Sequence, residues 1–271
     1  MPELPEVETT MRALRSRLVG CRFTHVVQRR PDLRFPLPLK LGENVTGRRV
    51  VGFKRRAKYI LTQLDDGQVL VLHLGMSGRL VFDGDPLGPH EHLTFGFDDG
   101  SVVRFHDPRR FGMLDLLTEP DLGQHPWFRH LGLEPLSDGF DGAALGLRLA
   151  GRSAAIKTAI MDQRVVVGVG NIYASESLHR ARLSPRRRAG WLKPAQMQRL
   201  ASCITEVLAE AIAAGGSSLR DYVAADGQLG NFQTQFRVYN RAGQACRCNR
   251  GVIRRIVQGN RATFYCPACQ R

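Results

Sequence analysis

The sequence has no apolar run near the roughly 20 residues that a membrane span requires. Its start, MPELPEVETT, is acidic and amphipathic, so it has the character of neither a secretory signal nor an arginine-rich transit peptide. A soluble cytosolic protein is the expectation. Acidic residues are the scarce charge: 25 Asp and Glu against 39 Lys and Arg leave a formal net charge of +14. That imbalance disfavours a neutral metabolic enzyme and points to a polyanion, nucleic acid or an anionic membrane surface. There is no phosphate-binding loop with Gly-Lys-Ser/Thr and no His-Glu-x-x-His, which argues against ATP-dependent and zinc-hydrolase chemistry. No internal repeat or low-complexity tract is present, and 43% hydrophobic residues suffice for a core. Cysteine is sparse until the end: Cys21 and Cys203 stand alone in apolar surroundings, as inert core residues do. Cys246, Cys248, Cys266 and Cys269 crowd the last 26 residues. In a reducing compartment such short-spaced pairs indicate metal rather than disulfides.

A chain of 271 residues suggests two domains at roughly 150 residues each. Leu4, Val7, Met11, Leu14 and Leu18 recur at three- and four-residue steps, predicting a helix over 3–19 with Gly20 as its stop. From about 22 to 118 the texture is strand-like, with runs at 24–28, 49–53, 59–64, 69–74, 93–97 and 102–105. Turn signals at Asp66-Gly67 and Asp99-Gly100 separate some of them, which fits an antiparallel sandwich or barrel. Beyond about residue 135, helices are predicted over 141–150, 154–162, 171–181 and 193–214, with a linker at 133–141 and a loop over 215–235. Residues 236–271 carry eight arginines and no acidic residue; interleaved with aromatics and cysteines, this run reads as a nucleic-acid contact.

Several motifs carry chemistry. Pro2 stands behind an initiator Met, whose removal would expose a secondary amine with a pKa of about 7.7–8.0 for α-amino groups. Such an amine attacks an aldehydic carbon to give an iminium, and Glu3 is adjacent to move protons; the alternative is that Pro2 simply starts a helix. His73–Gly78 and Asp107–Gly112 place Met76, Arg109 and Phe111 on glycine-bounded turns, where they suit wedges entering a duplex better than a solvated surface; the alternative is that Met76 and Phe111 are core and Arg109 a surface ion pair. Gly168–Glu176 lacks the third glycine of a dinucleotide fingerprint, because Tyr173 stands there. A glycine turn feeding a helix still binds a phosphate, and Lys157 and Asn171 suit a DNA backbone. Cys266-Pro-Ala-Cys269 has zinc-knuckle spacing, whereas Cys246-Arg-Cys248 has one intervening residue instead of two.

MPELPEVET, Arg56–Tyr59, His73–Gly78, Asp107–Gly112, Gly168–Glu176 and Asn260–Cys266 together resemble the bacterial formamidopyrimidine-DNA glycosylases, from residue 2 to the carboxyl terminus. The resemblance implies an α+β fold: an N-terminal antiparallel β-sandwich domain with an N-terminal helix (1–134), and a helical domain (135–236) with a helix–two-turn–helix element near 155–182. A zinc-finger β-hairpin (237–271) follows, with DNA in the cleft. It implies that Pro2 attacks C1′ of a damaged nucleoside and that Glu3 donates the proton. Lys58 would assist β-elimination, and Arg261 would contact phosphate and serve δ-elimination. His90, Arg109, Arg152, Lys157 and Asn171 fall at DNA-contact positions, with Met76, Arg109 and Phe111 filling the void left by a flipped base. Residues about 217–229 would cover that base.

The resemblance further implies one structural zinc on Cys246, Cys248, Cys266 and Cys269. Here the sequence departs from the family, because Asn249 holds the usual second ligand position and Cys248 sits one residue early. Zinc would then require a rearranged knuckle, or three thiolates and an outside ligand. Arg220 and Arg152 stand where some family members have Lys. The expected partner is damaged double-stranded DNA, with no membrane, no nucleotide cofactor and a monomeric protein. The competing expectations are an endonuclease VIII-like enzyme for oxidised pyrimidines, disfavoured by Pro-Glu-Leu-Pro-Glu, and a non-catalytic lesion binder if the amine is blocked. A zinc-ribbon RNA-binding module is a distant third.

Overall fold

The computed structural model describes residues 1–84, 86, 88–217 and 230–271. Glu3 caps the first helix, α1 (Leu4–Leu18), through a capping box with Glu6, and Pro5 occupies the first turn, where no amide hydrogen is needed. The apolar stripe expected of this helix is its buried face: Leu4, Val7, Met11, Leu14 and Leu18 are all at most 4% exposed.

Eight strands follow: β1 (Phe23–Gln28), β2 (Val50–Arg56), β3 (Tyr59–Leu64), β4 (Gln68–His73), β5 (Arg79–Phe82), β6 (Glu91–Phe97), β7 (Val102–His106) and β8 (Met113–Thr118). A short helix, α2 (Leu41–Val45), interrupts the run after β1. The strands form two four-stranded antiparallel sheets, ordered β1-β6-β7-β5 and β2-β3-β4-β8. Period-two alternation explains their packing. Ile60, Leu64, Leu70 and Leu72 of one sheet share a core with Phe95, Val103 and Phe105 of the other and with Leu14 of α1. The opposite face of the β2–β3–β4–β8 sheet is also covered, because Leu61, Val69 and Val71 pack under Tyr59, Trp127 and Phe128.

The rest of the chain is mainly helical: α3 (Gly142–Leu149), α4 (Ile156–Ile160), α5 (Asn171–Arg180) and α6 (Pro194–Ala213). In α6, Leu200, Ile204, Val207, Leu208 and Ile212 form the buried stripe that the spacing predicts. A hairpin of β9 (Arg254–Gln258) and β10 (Arg261–Tyr265) closes the chain. Both residues of its turn, Gly259 and Asn260, have positive φ (53° and 57°), as a two-residue hairpin turn requires.

Two compact units result. One comprises Met1–Arg129 with Ala214–Asn231, the other His130–Ala213 with Phe232–Arg271. Among the described residues, no helix is long and apolar enough to cross a membrane. Arg220 and most of the segment expected to cover a flipped base, 218–229, lie outside the described residues.

Candidate functional site

In the first unit, Pro2 is buried one residue ahead of the α1 cap. The helix-starting proline is therefore Pro5, and Pro2 lies outside the helical turn. Glu3 (3% exposed) donates its backbone N–H to Glu6 Oε2 at 2.9 Å. The other carboxylate oxygen of Glu6, itself only 2% exposed, accepts from both the backbone N–H (2.8 Å) and the hydroxyl (2.9 Å) of Ser217. Glu6 thus joins the backbone of Glu3 to Ser217.

Lys58 is 5% exposed on the two-residue turn between β2 and β3. Its neighbour Ala57 is buried with φ +54°, a left-handed conformation that costs an L-residue roughly 1–2 kcal/mol. Arg55 ties that turn to α1: its guanidinium donates to the Ala57 carbonyl (3.0 Å), and its Nε donates to Glu8 of α1 (2.8 Å). The strained turn and the helix carrying Pro2 and Glu3 are therefore pinned by one guanidinium. Opposite Tyr59 on β4 stands His73, whose Nδ1 accepts the Gly75 N–H at 2.9 Å. Burial, reinforced by the charges of Lys58 and Arg34, pulls His73 down to about 3, so the ring is neutral at working pH. Burial likewise pushes the Tyr59 phenol up to about 12.

The two candidate wedge turns are clasped by one buried carboxylate. Asp107, fully buried, accepts from the Ser77 hydroxyl (2.7 Å) and the Gly112 N–H (2.7 Å). The Arg109 N–H donates to that same Ser77 hydroxyl at 3.3 Å. Gly75 has φ +66°, and a Cβ there would lie 2.4 Å from the Phe111 backbone, so only glycine allows the turns to touch. On this rigid base Met76 is 37% and Phe111 40% exposed, and the Arg109 guanidinium lies 4.9 Å from the Phe111 ring centre. Large apolar side chains held outward by a buried clasp suit insertion into another molecule. His90 is exposed, and its carbonyl accepts the Asp107 N–H at 2.9 Å, so it is anchored to the same clasp.

In the second unit, Lys157 is 1% exposed, and three neutral oxygens crowd its Nζ: Asn171 Oδ1 (2.5 Å), Thr263 Oγ1 (2.7 Å) and the Ala262 carbonyl (3.2 Å). Asn171, first residue of α5, also donates to the Ala262 carbonyl at 3.0 Å. Lys157, Asn171 and β10 therefore form one cluster at a helix N-terminus, where amides and dipole favour an anion. Arg261, which opens β10, is exposed. Arg152 donates to the Arg148 carbonyl (2.9 Å) and to Asp162 (3.1 Å), so its guanidinium is internally paired.

The four terminal cysteines converge, with all four Sγ atoms within 4.8 Å of one another. Cys246 and Cys269 are 3.9 Å apart, and Cys248 and Cys266 are 3.7 Å apart. A tetrahedral thiolate site with metal–sulfur bonds of about 2.3 Å has edges of about 3.8 Å, so this donor set fits a metal ion. The short first pair reaches the cluster through a turn: Asn249, at φ +56°, donates its N–H to the Cys246 carbonyl (2.9 Å), and the Cys246 N–H donates to the Gly251 carbonyl (2.9 Å). The nearby Arg250 backbone amide, together with the neighbouring cysteines, pulls the Cys248 thiol down to about 7. Cys248 thus lies with the other three cysteines in the cluster.

The family model for the formamidopyrimidine-DNA glycosylase N-terminal domain matches residues 1–114, and that for the family's H2TH domain matches 131–223. A formamidopyrimidine-DNA glycosylase of Beijerinckia indica is 50% identical over 289 residues, covering all of both chains. The chain belongs to the formamidopyrimidine-DNA glycosylase family. Solved relatives agree: the MutM (Fpg) protein of Thermus thermophilus superposes with a TM-score of 0.89 at 41% identity, over 99% of this chain and 98% of that one. Lactococcus lactis Fpg, in a complex with abasic-site DNA, gives 0.91 at 32% identity over 99% of each chain.

Three residues of this glycosylase chain were missed as site builders by sequence reasoning. No motif singles out Glu6, although Glu3 followed by Glu6 has the three-residue spacing of a capping box. Glu176 closes the Gly168–Glu176 motif, and its buried carboxylate accepts the backbone N–H groups of Arg237, Val238 and Tyr239 at 2.8–3.0 Å. That anchors the entry to the cysteine-bearing segment. His179 lies 3.2 Å from Cys246 Sγ through Nε2, a contact 67 residues away in sequence that no local pattern announces.

Proposed function

We infer that the protein is a bifunctional DNA glycosylase and AP lyase of base excision repair that removes oxidised purines, formamidopyrimidines and 8-oxoguanine, from duplex DNA. The full-length relationship to formamidopyrimidine-DNA glycosylases carries this reading. Relatives solved on DNA containing an abasic site or a Fapy-dG lesion give the substrate class. The basic composition suits the same polyanion. A cytosolic location accords with this role.

The chemistry begins with removal of Met1, because an attached methionine makes the Pro2 nitrogen a non-nucleophilic amide. The freed secondary amine attacks C1′, the bond from C1′ to the base breaks, and the base leaves with a proton that Glu3 delivers. The attacking nitrogen loses its proton, the C1′–O4′ bond opens with a proton taken up by O4′, and the resulting ring-opened iminium acidifies C2′; loss of a C2′ proton expels the 3′ phosphate, and a second elimination expels the 5′ phosphate. Water then hydrolyses the iminium and regenerates the amine. Lys58, buried on its strained turn, serves the first elimination, and Arg261 steadies the phosphate leaving in the second. Lys157 and Asn171 hold backbone phosphate at the α5 N-terminus, with Arg152 and His90 as further backbone contacts. Extruding a base costs a few kcal/mol, offset by insertion of Met76, Arg109 and Phe111 into the gap.

The metal we assign is zinc, on Cys246, Cys248, Cys266 and Cys269, in a structural role: a closed four-thiolate set leaves no position for substrate. When bound, it cross-links the segment that carries Arg261.

A duplex panel tests the reading. Strand scission at 8-oxoguanine and formamidopyrimidine, leaving phosphates on both sides of the gap, is expected. A preference for oxidised pyrimidines contradicts the substrate assignment, and lesion binding without scission contradicts the enzyme.

A further inference from the structure

We propose that His179 is a positioning residue of the metal centre, donating its Nε2–H to the Cys246 thiolate so that helix α5 takes part in holding the ion. The proposal rests on the reading of the four cysteines as a metal site.

His179 is 7% exposed, and its Nε2 lies 3.2 Å from Cys246 Sγ and 3.8 Å from Cys269 Sγ. Its Nδ1 is buried with no hydrogen-bond partner among the described residues. A proton on Nδ1 would leave a buried donor unpaired and turn the Nε2 lone pair toward the lone pairs of sulfur. A proton on Nε2 removes both penalties, leaving only one acceptor lone pair unmatched. The geometry therefore fixes the tautomer: the nitrogen facing sulfur is the donor. Ligation by His179 itself is disfavoured, because four sulfurs already complete a tetrahedral set.

Four thiolates around a divalent cation leave two excess negative charges in a largely buried site, and N–H donors to sulfur offset them. Cys246, which is 1% exposed, has such a donor in His179. Helix α5 also holds the same segment through Asn171, on the Ala262 carbonyl, and through Glu176, on the amides of 237–239. His179 extends that row to the cluster itself, so the helix whose first turn is the candidate phosphate site is bonded to a metal ligand at its last.

The test compares His179→Phe, which keeps a buried ring without a donor, with His179→Gln, which restores an N–H. Zinc-loaded proteins are challenged with a chromophoric chelator, and cobalt-substituted forms are followed through the sulfur-to-cobalt charge-transfer band. Loss of a donor next to a ligand predicts about 10-fold faster zinc release and a shifted band for His179→Phe, with His179→Gln recovering most of the loss. In the zinc-loaded wild type, long-range nitrogen-15 spectra are expected to show the His179 proton on Nε2. Wild-type release from His179→Phe, equal loss in both variants, or an unprotonated Nε2 overturns the proposal. Wild-type protein that holds no metal overturns the metal centre itself, and the proposal with it.

Discussion

The Glu6 carboxylate and Ser217, 211 residues apart, are joined by two hydrogen bonds to one oxygen, from the backbone N–H at 2.8 Å and the hydroxyl at 2.9 Å. The other oxygen takes the Glu3 N–H at 2.9 Å. All three of these contacts are made by donors, and an amide in place of the carboxylate would turn its own N–H toward one of them. Glu6→Gln is expected to cost about 1–3 kcal/mol of stability, whereas Ser217→Ala loses only one bond, about 1 kcal/mol. Denaturant titration of both variants checks this; a Glu6→Gln protein as stable as wild type contradicts the assigned role.

Arg55 ties the Lys58 turn to α1 through the Ala57 carbonyl and Glu8. Arg55→Met keeps much of the side-chain volume and removes both bonds. With Lys58 less well placed, cleavage of a pre-formed abasic site is expected to slow about 10- to 100-fold while duplex affinity stays nearly constant. Single-turnover scission and binding, measured side by side, separate these effects. An equal loss in both would mean general unfolding rather than misplacement.

His73 supplies a pH signature. Its folded-state value, about 3, lies below the ordinary 6.5, so below pH 6.5 the unfolded chain takes up a proton that the folded ring refuses. Stability rises with pH in that window: it is lost as pH falls from 6.5 toward about 3. Protonating Nδ1 would also destroy its bond from Gly75. His73→Asn, which offers an acceptor that does not titrate, should flatten the stability profile between pH 6 and 4. An unchanged slope would assign the acid sensitivity to other groups.

Arg261 is exposed on β10, so Arg261→Ala should change stability by less than about 0.5 kcal/mol. As a phosphate contact it should lower the slope of log affinity against log salt by about 0.9. An unaltered slope, with the final elimination also unaltered, contradicts both roles assigned to it.

Much of the fold was legible because it is local. The three- and four-residue steps of α1 and α6, and the alternation in β3 and β4, directly encode which faces are buried. The short elements were not: α2 has five residues and β5 has four, too few to establish a period, and tertiary packing decides them. Pro2, Glu3 and Lys58, for which catalytic roles are proposed, stand in short motifs that can be singled out from sequence. Residues whose partners are distant cannot: Glu6 reaches Ser217, Glu176 reaches 237–239, and His179 reaches Cys246 only after folding. The early Cys248 could be noticed but not resolved, because its entry into the cluster depends on the left-handed turn at Asn249.

The central claim is that the Pro2 nitrogen is the nucleophile. Borohydride trapping of Met1-processed protein on duplex DNA carrying 8-oxoguanine opposite cytosine, with peptide mass mapping of the adduct, tests it most directly. The account predicts a covalent adduct on the amino-terminal Pro2 peptide. Excision of the base with no adduct, or an adduct mapped to Lys58 or another amine, would contradict it.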